Sequence, residues 1–259
     1  DSLLKRRNAI LEWIDLHRLK PQWISTIQTS RLTLIYCLIS YVDLLKDNSI
    51  KQSIIDGCER LGLRLSPRAV DCLNTYLTLL ERWNRAYNLT AVRDPDAMVI
   101  RHLLDSLSIL PWLEGPRVLD VGSGAGLPGI PLASIRPDYE FYLLDSNGKR
   151  TRFLTQVVAE LQLANASVIR SRVEDYQPTT LFDSIVSRAF ATLADMVVDA
   201  GRLCAPEGRL LAMKGVFPDD ELARLPLDYV VVGVHPLQVP HLDAERHLVH
   251  LAPAPVFRN

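Results

Sequence analysis

The stretch Arg117-Val-Leu-Asp-Val-Gly-Ser-Gly-Ala-Gly-Leu-Pro-Gly129 constrains the fold more than any other part of the chain. Val118 to Val121 is a short apolar run containing one acid, the pattern of a strand buried within a parallel sheet. It ends in Gly122, Gly124 and Gly126, which permit a tight turn and let bare backbone approach a ligand. Leu127 then opens a helical pattern, with Pro128 where the first turn of a helix tolerates proline. Strand, glycine turn and helix start together predict a nucleotide-cofactor cradle at the carboxyl edge of a parallel sheet.

The glycine spacing alone admits two cofactors. Gly124-Ala-Gly-Leu-Pro-Gly129 fits the dinucleotide-binding pattern, whereas Gly122-Ser-Gly-Ala-Gly126 behind Asp120 resembles the first motif of S-adenosylmethionine-dependent methyltransferases. Two features favour the second. In the dinucleotide pattern the first glycine leaves the strand directly, and here that glycine is Gly122. Asp120 suits a cofactor with a cationic amino-acid end better than one with a pyrophosphate. An oxidoreductase would also need a hydride-transfer acid/base set, which the sequence does not offer. A turn that binds nothing, a non-catalytic RNA-binding module on the same fold, and a small-molecule methyltransferase remain as alternatives.

With 259 residues, 48% hydrophobic and 23% charged, the chain can build one large domain, or one domain with an appendage. A formal net charge of -1 excludes a generally basic, DNA-coating protein but leaves room for RNA held by a local patch. Cys37, Cys58, Cys72 and Cys204 are scattered without a CxxC pair, so neither a disulfide framework nor a zinc site is expected. His235, His241, His247 and His250 come late in the chain, but His247 and His250 fall on opposite faces of an expected strand, against a metal site. Asn88-Leu-Thr90 and Asn165-Ala-Ser167 match the glycosylation pattern and are read as chance. The apolar run from Thr33 to Leu45 contains Asp43 and is too short to span a bilayer. Residues 1–50 are expected to form an extension of unassigned role, helical or poorly ordered.

Residues 51–113 read as a helical front end. Ser66-Pro67 and Asp94-Pro95 are helix starts, the first followed by Val70, Leu73, Leu77, Leu80 and Trp83 at helical spacing, the second launching a helix from Met98 to Leu110. Arg82, Arg85, Arg93 and Arg101 fit either a solvated helix face or an RNA contact. Residues 114–259 then alternate. Strands are expected at 140–145, 167–170, 182–187, 208–213, 230–234 and 247–251, with helices at 149–161 and 193–203, giving an α/β, doubly wound, mostly parallel sheet. The last segment lacks an intervening helix, which predicts a terminal hairpin and one antiparallel strand. Asp145 ends the second strand about twenty residues past the glycines, where a carboxylate accepts hydrogen bonds from a ribose diol. Capping of the following helix is the competing reading.

Trp83-Asn-Arg-Ala-Tyr-Asn-Leu-Thr90, Arg101-His-Leu-Leu-Asp-Ser106, Asp120 to Gly129, Leu144-Asp-Ser-Asn-Gly-Lys-Arg150, Ser187-Arg-Ala-Phe190 and Glu245-Arg-His-Leu248 together resemble the GidB (RsmG) family. The resemblance runs from roughly Lys51 to Ala252. It implies a Rossmann-like, seven-stranded methyltransferase sheet with S-adenosylmethionine as donor. The activity implied is methylation of N7 of one guanine in 16S ribosomal RNA. Carried over by position, the implied cofactor contacts are Gly122, Leu127, Val173, Glu174 and Arg188, to which the turn adds Gly124 and Gly126 and the ribose argument adds Asp145. N7 of guanine carries no proton, so no catalytic acid or base is expected, and Arg188 is the candidate for positioning the acceptor. Lys149, Arg150, Arg152 and Lys214 are the basic groups expected near the cleft rim. The expected setting is the cytoplasm, with a monomer acting on 16S ribosomal RNA in small-subunit particles and no metal, DNA or membrane partner.

Overall fold

The computed structural model describes residues 31–188, 190 and 192–255. What was expected of residues 1–30 lies outside them. The chain divides into two compact units, Asp1–Asn48 and Ser49–Asn259. A first helix, α1, covers Arg31–Arg60. All that follows concerns the second unit, from Ser49 onward.

The front end is built on α2 (Pro67–Tyr87). Ser66 caps it by accepting from the Ala69 N–H, and Asn88 ends it in the left-handed conformation, its own N–H bonded to the Asn84 carbonyl. Its apolar stripe, Val70, Leu73, Leu77 and Leu80, is buried, and Trp83 packs against Phe153 with ring centroids 5.6 Å apart. The helix expected from Met98 to Leu110 is broken into three. Asp94 caps α3 (Pro95–Met98), a π-helical turn covers Val99–Leu104, and α4 is Asp105–Leu107. Every position from His102 to Ile109 is buried, from within the wider π turn through α4 and beyond, which a single regular amphipathic helix would not show.

Seven strands follow: β1 (Arg117–Val121), β2 (Glu140–Asp145), β3 (Ala166–Arg170), β4 (Phe182–Ser187), β5 (Cys204–Lys214), β6 (Tyr229–Pro236) and β7 (His247–Pro253). Their order is β3-β2-β1-β4-β5-β7-β6. The first five pair in parallel, and β7 lies antiparallel between β5 and β6, as the expected terminal hairpin requires. Crossovers run through α5 (Gly129–Ile135), α6 (Gly148–Glu160) and α7 (Leu193–Ala200). Consecutive strand residues enter opposite cores. Val118, Leu143, Val186 and Leu211 join the front end, α5 and α6 in one cluster. Leu119, Leu144, Ile185 and Leu210 join α7 and Tyr229 in the other. Both faces are therefore covered, which explains why these strands are apolar without alternation. Asn165, in one of the glycosylation-like triplets, is structural: its amide donates to the carbonyls of Ala133, Arg136 and Tyr139 at 3.0–3.2 Å.

Candidate functional site

β1 and β2 end side by side, with Val121 opposite Leu144, and the turns after them meet. The N–H groups of Gly122 and Ser123 both bond the Leu144 carbonyl, at 2.8 and 3.1 Å. The chain then reverses through Gly122, Gly124 and Gly126 at φ 68°, 58° and 92°, values that side chains rarely adopt. Gly126 and Leu127 each donate to the Ser123 carbonyl, closing the turn. The helix begins at Gly129 rather than Leu127, with Pro128 in the capping position. One carboxylate takes the place of a side-chain cap and another braces the turn. Asp120 accepts from the Gly129 N–H at 2.9 Å, and Asp145 accepts from the Gly124 N–H at 2.9 Å.

Beside this turn lies a cleft of about 230 Å³, lined by Val121 and Gly122 where β1 ends, Leu144 to Ser146 where β2 ends, Arg150, Ser171 to Glu174 after β3, and Phe190 after β4. Every contributor leaves the carboxyl end of a parallel strand or follows it, which is where ligands bind in open α/β sheets. Of the predicted positions, Gly122, Asp145, Val173 and Glu174 line the cleft. Gly124 reaches it through Asp145, and a methyl group at Gly124 would meet only the Gly122 carbonyl, at 3.7 Å. Gly126 and Leu127 stand back from it: Gly126 lies against Ile130 and Leu154, and Leu127 packs on the core. Arg188 also stands apart from the lining, held near Asp105.

Asp145 is not the cap of α6. That role falls to Asn147, which accepts from the Lys149 N–H at 2.9 Å. The two oxygens of Asp145 instead tie the turns together, one to the Asn147 N–H and the other to Gly124, with Arg150 Nη1 3.4 Å away. Among the described residues Oδ1 accepts only from the Asn147 N–H, so it keeps a second lone pair for a further donor.

Asp120 is fully buried, and one of its oxygens, Oδ1, has no hydrogen-bond partner among the described residues. Burial pushes its pKa up to about 7, against the pull of the Gly129 N–H, Ser123 and the Arg188 charge.

A second buried acid, which composition and periodicity did not reveal, gathers basic groups from beyond β4 and before β7. Asp105 is 1% exposed and faces two guanidinium groups, Arg246 Nε at 3.0 Å and Arg188 Nη1 at 3.3 Å. The exit of β4 and the segment before β7 thus converge on the carboxylate that opens α4. Next to it, His102 Nε2 meets the Thr90 hydroxyl at 2.8 Å, and Asn84 accepts from the Thr90 N–H at 2.9 Å. Burial drives the His102 pKa down to about 4, so the ring is neutral at ordinary pH. Tyr76 joins front end to cradle by donating to the Ala125 carbonyl at 2.8 Å. The front-end arginines Arg82, Arg85, Arg93 and Arg101 are exposed, and Arg85 pairs with Glu81 one turn earlier.

Arg202 was also unforeseen. Its Nη2 donates to the carbonyls of Val173, Glu174 and Tyr176 at 2.6–2.8 Å and clamps the cleft wall after β3. Replacing Arg202 by alanine is expected to speed amide exchange across residues 173–176 about tenfold while β1 and β4 keep their protection. Unchanged exchange there would show that these bonds do not hold the wall.

Among the described residues no cluster of histidine, cysteine and acid is arranged to hold a metal, and no helix is long and apolar enough to cross a membrane. The sheet resembles that of the glycopeptide N-methyltransferase MtfA in complex with S-adenosyl-L-homocysteine. The TM-score is 0.52 at 9% identity, over 59% of this chain and 87% of that one. Closer likeness is found in sequence. The chain is 55% identical over 207 residues to the ribosomal RNA small subunit methyltransferase G of Nitrosococcus oceani, covering 80% of this chain and 97% of that one. It is 56% identical over 196 residues to the protein of the same name from Pseudomonas aeruginosa, covering 75% and 92%. Residues 70–249 match GidB, described as rRNA small subunit methyltransferase G, and the chain belongs to that family.

Proposed function

We propose that this protein transfers a methyl group from S-adenosylmethionine to N7 of a specific guanine in 16S ribosomal RNA. The observation that carries the reading is the cradle itself: left-handed glycines beside a cleft walled by Asp145 and Glu174, in a chain of this family. Bound S-adenosylmethionine supplies an electrophilic methyl group on a sulfonium. The Gly122–Gly126 turn gives its amino-acid end close approach to backbone, Asp145 accepts from the ribose, and Val173 and Glu174 flank the adenine. The orphaned Asp120 oxygen fits the cationic end.

Guanine N7 is a lone-pair acceptor without a proton, so the chain needs no general base. Its work is positioning, together with balancing the charge that passes to the ring. Arg188, fixed by Asp105, is placed to hold the guanine O6 or a phosphate on the acceptor side. Residues 114–259 carry the chemistry, 51–113 shape the acceptor side and 1–50 have no catalytic role. The protein acts as a cytoplasmic monomer on small-subunit particles.

Labelled-methyl transfer tests the reading. Label is expected in 16S RNA of unmethylated small subunits and not in large-subunit RNA; absence of label with S-adenosylhomocysteine still bound would overturn the substrate. The Asp120 environment adds a pH signature. Its raised pKa means that the group's contribution to stability is present below the unfolded value near 3.8 and is lost as pH rises through about 7. A cationic ligand needs the ionised form, so affinity for S-adenosylhomocysteine is expected to rise about tenfold between roughly pH 5.5 and 7. Asp120→Asn should flatten that titration. A slope that persists in the variant would remove Asp120 from the cofactor site.

A further inference from the structure

A second concavity, of about 460 Å³, opens beside the cleft, between the first turns of α6 and the edge strand β3. Lys149 and Arg152 from α6 and Arg170 from β3 line it, and no acid does. None of the three forms an ion pair among the described residues. The adjoining Arg150, by contrast, is matched by Asp145. Arg170 lies across Gly148, where a Cβ would come within 2.9 Å of its Cζ, so the glycine at the start of α6 makes room for this guanidinium. Arg152 anchors its Nε on the Gly148 carbonyl at 3.1 Å, and no bond uses its Nη groups among the described residues. Three like charges gathered around one opening repel one another, and without an acid only an anion from outside relieves that repulsion.

The groove and the cleft are walled by neighbouring residues of the same two segments. Lys149 and Arg152 line the groove and Arg150 the cleft; Arg170 lines the groove, and Ser171 and Arg172 the cleft. A polyanion reaching the cleft mouth is therefore beside the groove. We infer that this groove binds the phosphodiester backbone of the RNA substrate close to the nucleotide presented for methylation. The inference rests on the proposed function and adds to it a phosphate-binding surface outside the cofactor cleft. Phosphate pairing of this kind fixes register and carries no base preference, leaving the choice of guanine to the acceptor side.

The test compares the full-length protein with an Arg152→Gln/Arg170→Gln variant, using unmethylated small subunits and naked 16S RNA at roughly 50–200 mM salt. For both substrates the variant's KM is expected to rise about tenfold. The slope of log KM against log salt should flatten by about two, one for each arginine–phosphate pair that the variant cannot form. Saturated kcat and affinity for S-adenosylhomocysteine should stay as in the parent, and Arg152→Lys/Arg170→Lys should restore most of the slope. Unchanged KM and salt slope would overturn the groove while leaving the proposed function standing. A defect confined to subunits and absent with naked RNA would also overturn it, assigning the groove to a ribosomal protein. Weakened S-adenosylhomocysteine binding would return these arginines to the cofactor site. If the parent protein labels neither RNA, the proposed function falls and this inference with it.

Discussion

Asp105→Ala is expected to destabilise the protein by about 2–3 kcal/mol and to lower its melting temperature by roughly 5–10 °C. The carboxylate is buried and is the shared partner of Arg188 and Arg246, so removing it leaves two guanidinium groups facing each other. Both arginine side chains keep about a quarter of their surface in water, 27% for Arg188 and 22% for Arg246, which holds the cost at the low end for a broken buried pair. Methyl transfer should suffer more than stability, with kcat/KM falling about a hundredfold, because an ångström of misplacement at Arg188 is enough. Asp105→Asn retains an oxygen for Arg246 and should recover most of the stability but little of the rate. Equal loss of rate and of folded protein across both variants would mean that Asp105 only holds the fold. Calorimetry beside single-turnover kinetics separates the two.

Gly126→Ala carries the second large effect. At φ 92° any side chain strains the backbone, and the new methyl would sit 2.6 Å from Ile130 Cγ1 and 3.0 Å from Leu154 Cδ2. Strain and overpacking together cost about 2–4 kcal/mol. The turn can relieve them only by moving the Gly126 and Leu127 bonds to Ser123, so cofactor affinity should fall at least about tenfold. Gly124→Ala is the internal comparison. Its φ of 58° lies within the left-handed region and its surroundings are open, so about 1 kcal/mol is expected. A Gly126 variant as mild as the Gly124 one, by denaturant titration and by isothermal calorimetry with S-adenosylhomocysteine, would show that the tight packing beneath the turn does not constrain it.

Much of this architecture is legible in the sequence because the relevant signals are local. β2 and β4 have the bounds their apolar runs predict, and Ser66 and Asp94 cap the helices they announce. Gly122 and Asp145 reach the cleft because strand ends in a parallel sheet must share one edge. The pairing of Asp105 with Arg246 is different in kind: 141 positions separate them, and no periodicity links them. The π turn escaped for a related reason. Continuous burial from His102 to Ile109 looks, in sequence, like an ordinary amphipathic helix that ends in apolar residues. Arg202 carries no signal of its own, since an exposed arginine after a helix is what a solvated surface also contains. Asp145 shows how one residue satisfies a motif for a second reason, as it braces the glycine turn whatever it does for a ribose. Trp83 to Thr90 gains a physical meaning only in the fold, where Asn84 and Thr90 hand a hydrogen-bond chain to His102.

The central claim is tested most directly by mapping the product. Small subunits lacking the modification are incubated with labelled S-adenosylmethionine and this protein, and the 16S RNA is then cleaved chemically at 7-methylguanine. A single cut is expected, at one guanine, carrying all of the label, and weaker labelling at that same position when Gly126→Ala replaces the parent protein at subsaturating S-adenosylmethionine. Label that resists this cleavage, or that spreads over many guanines, would contradict it, because a positioning enzyme without a general base should reach one unprotonated ring nitrogen and no other.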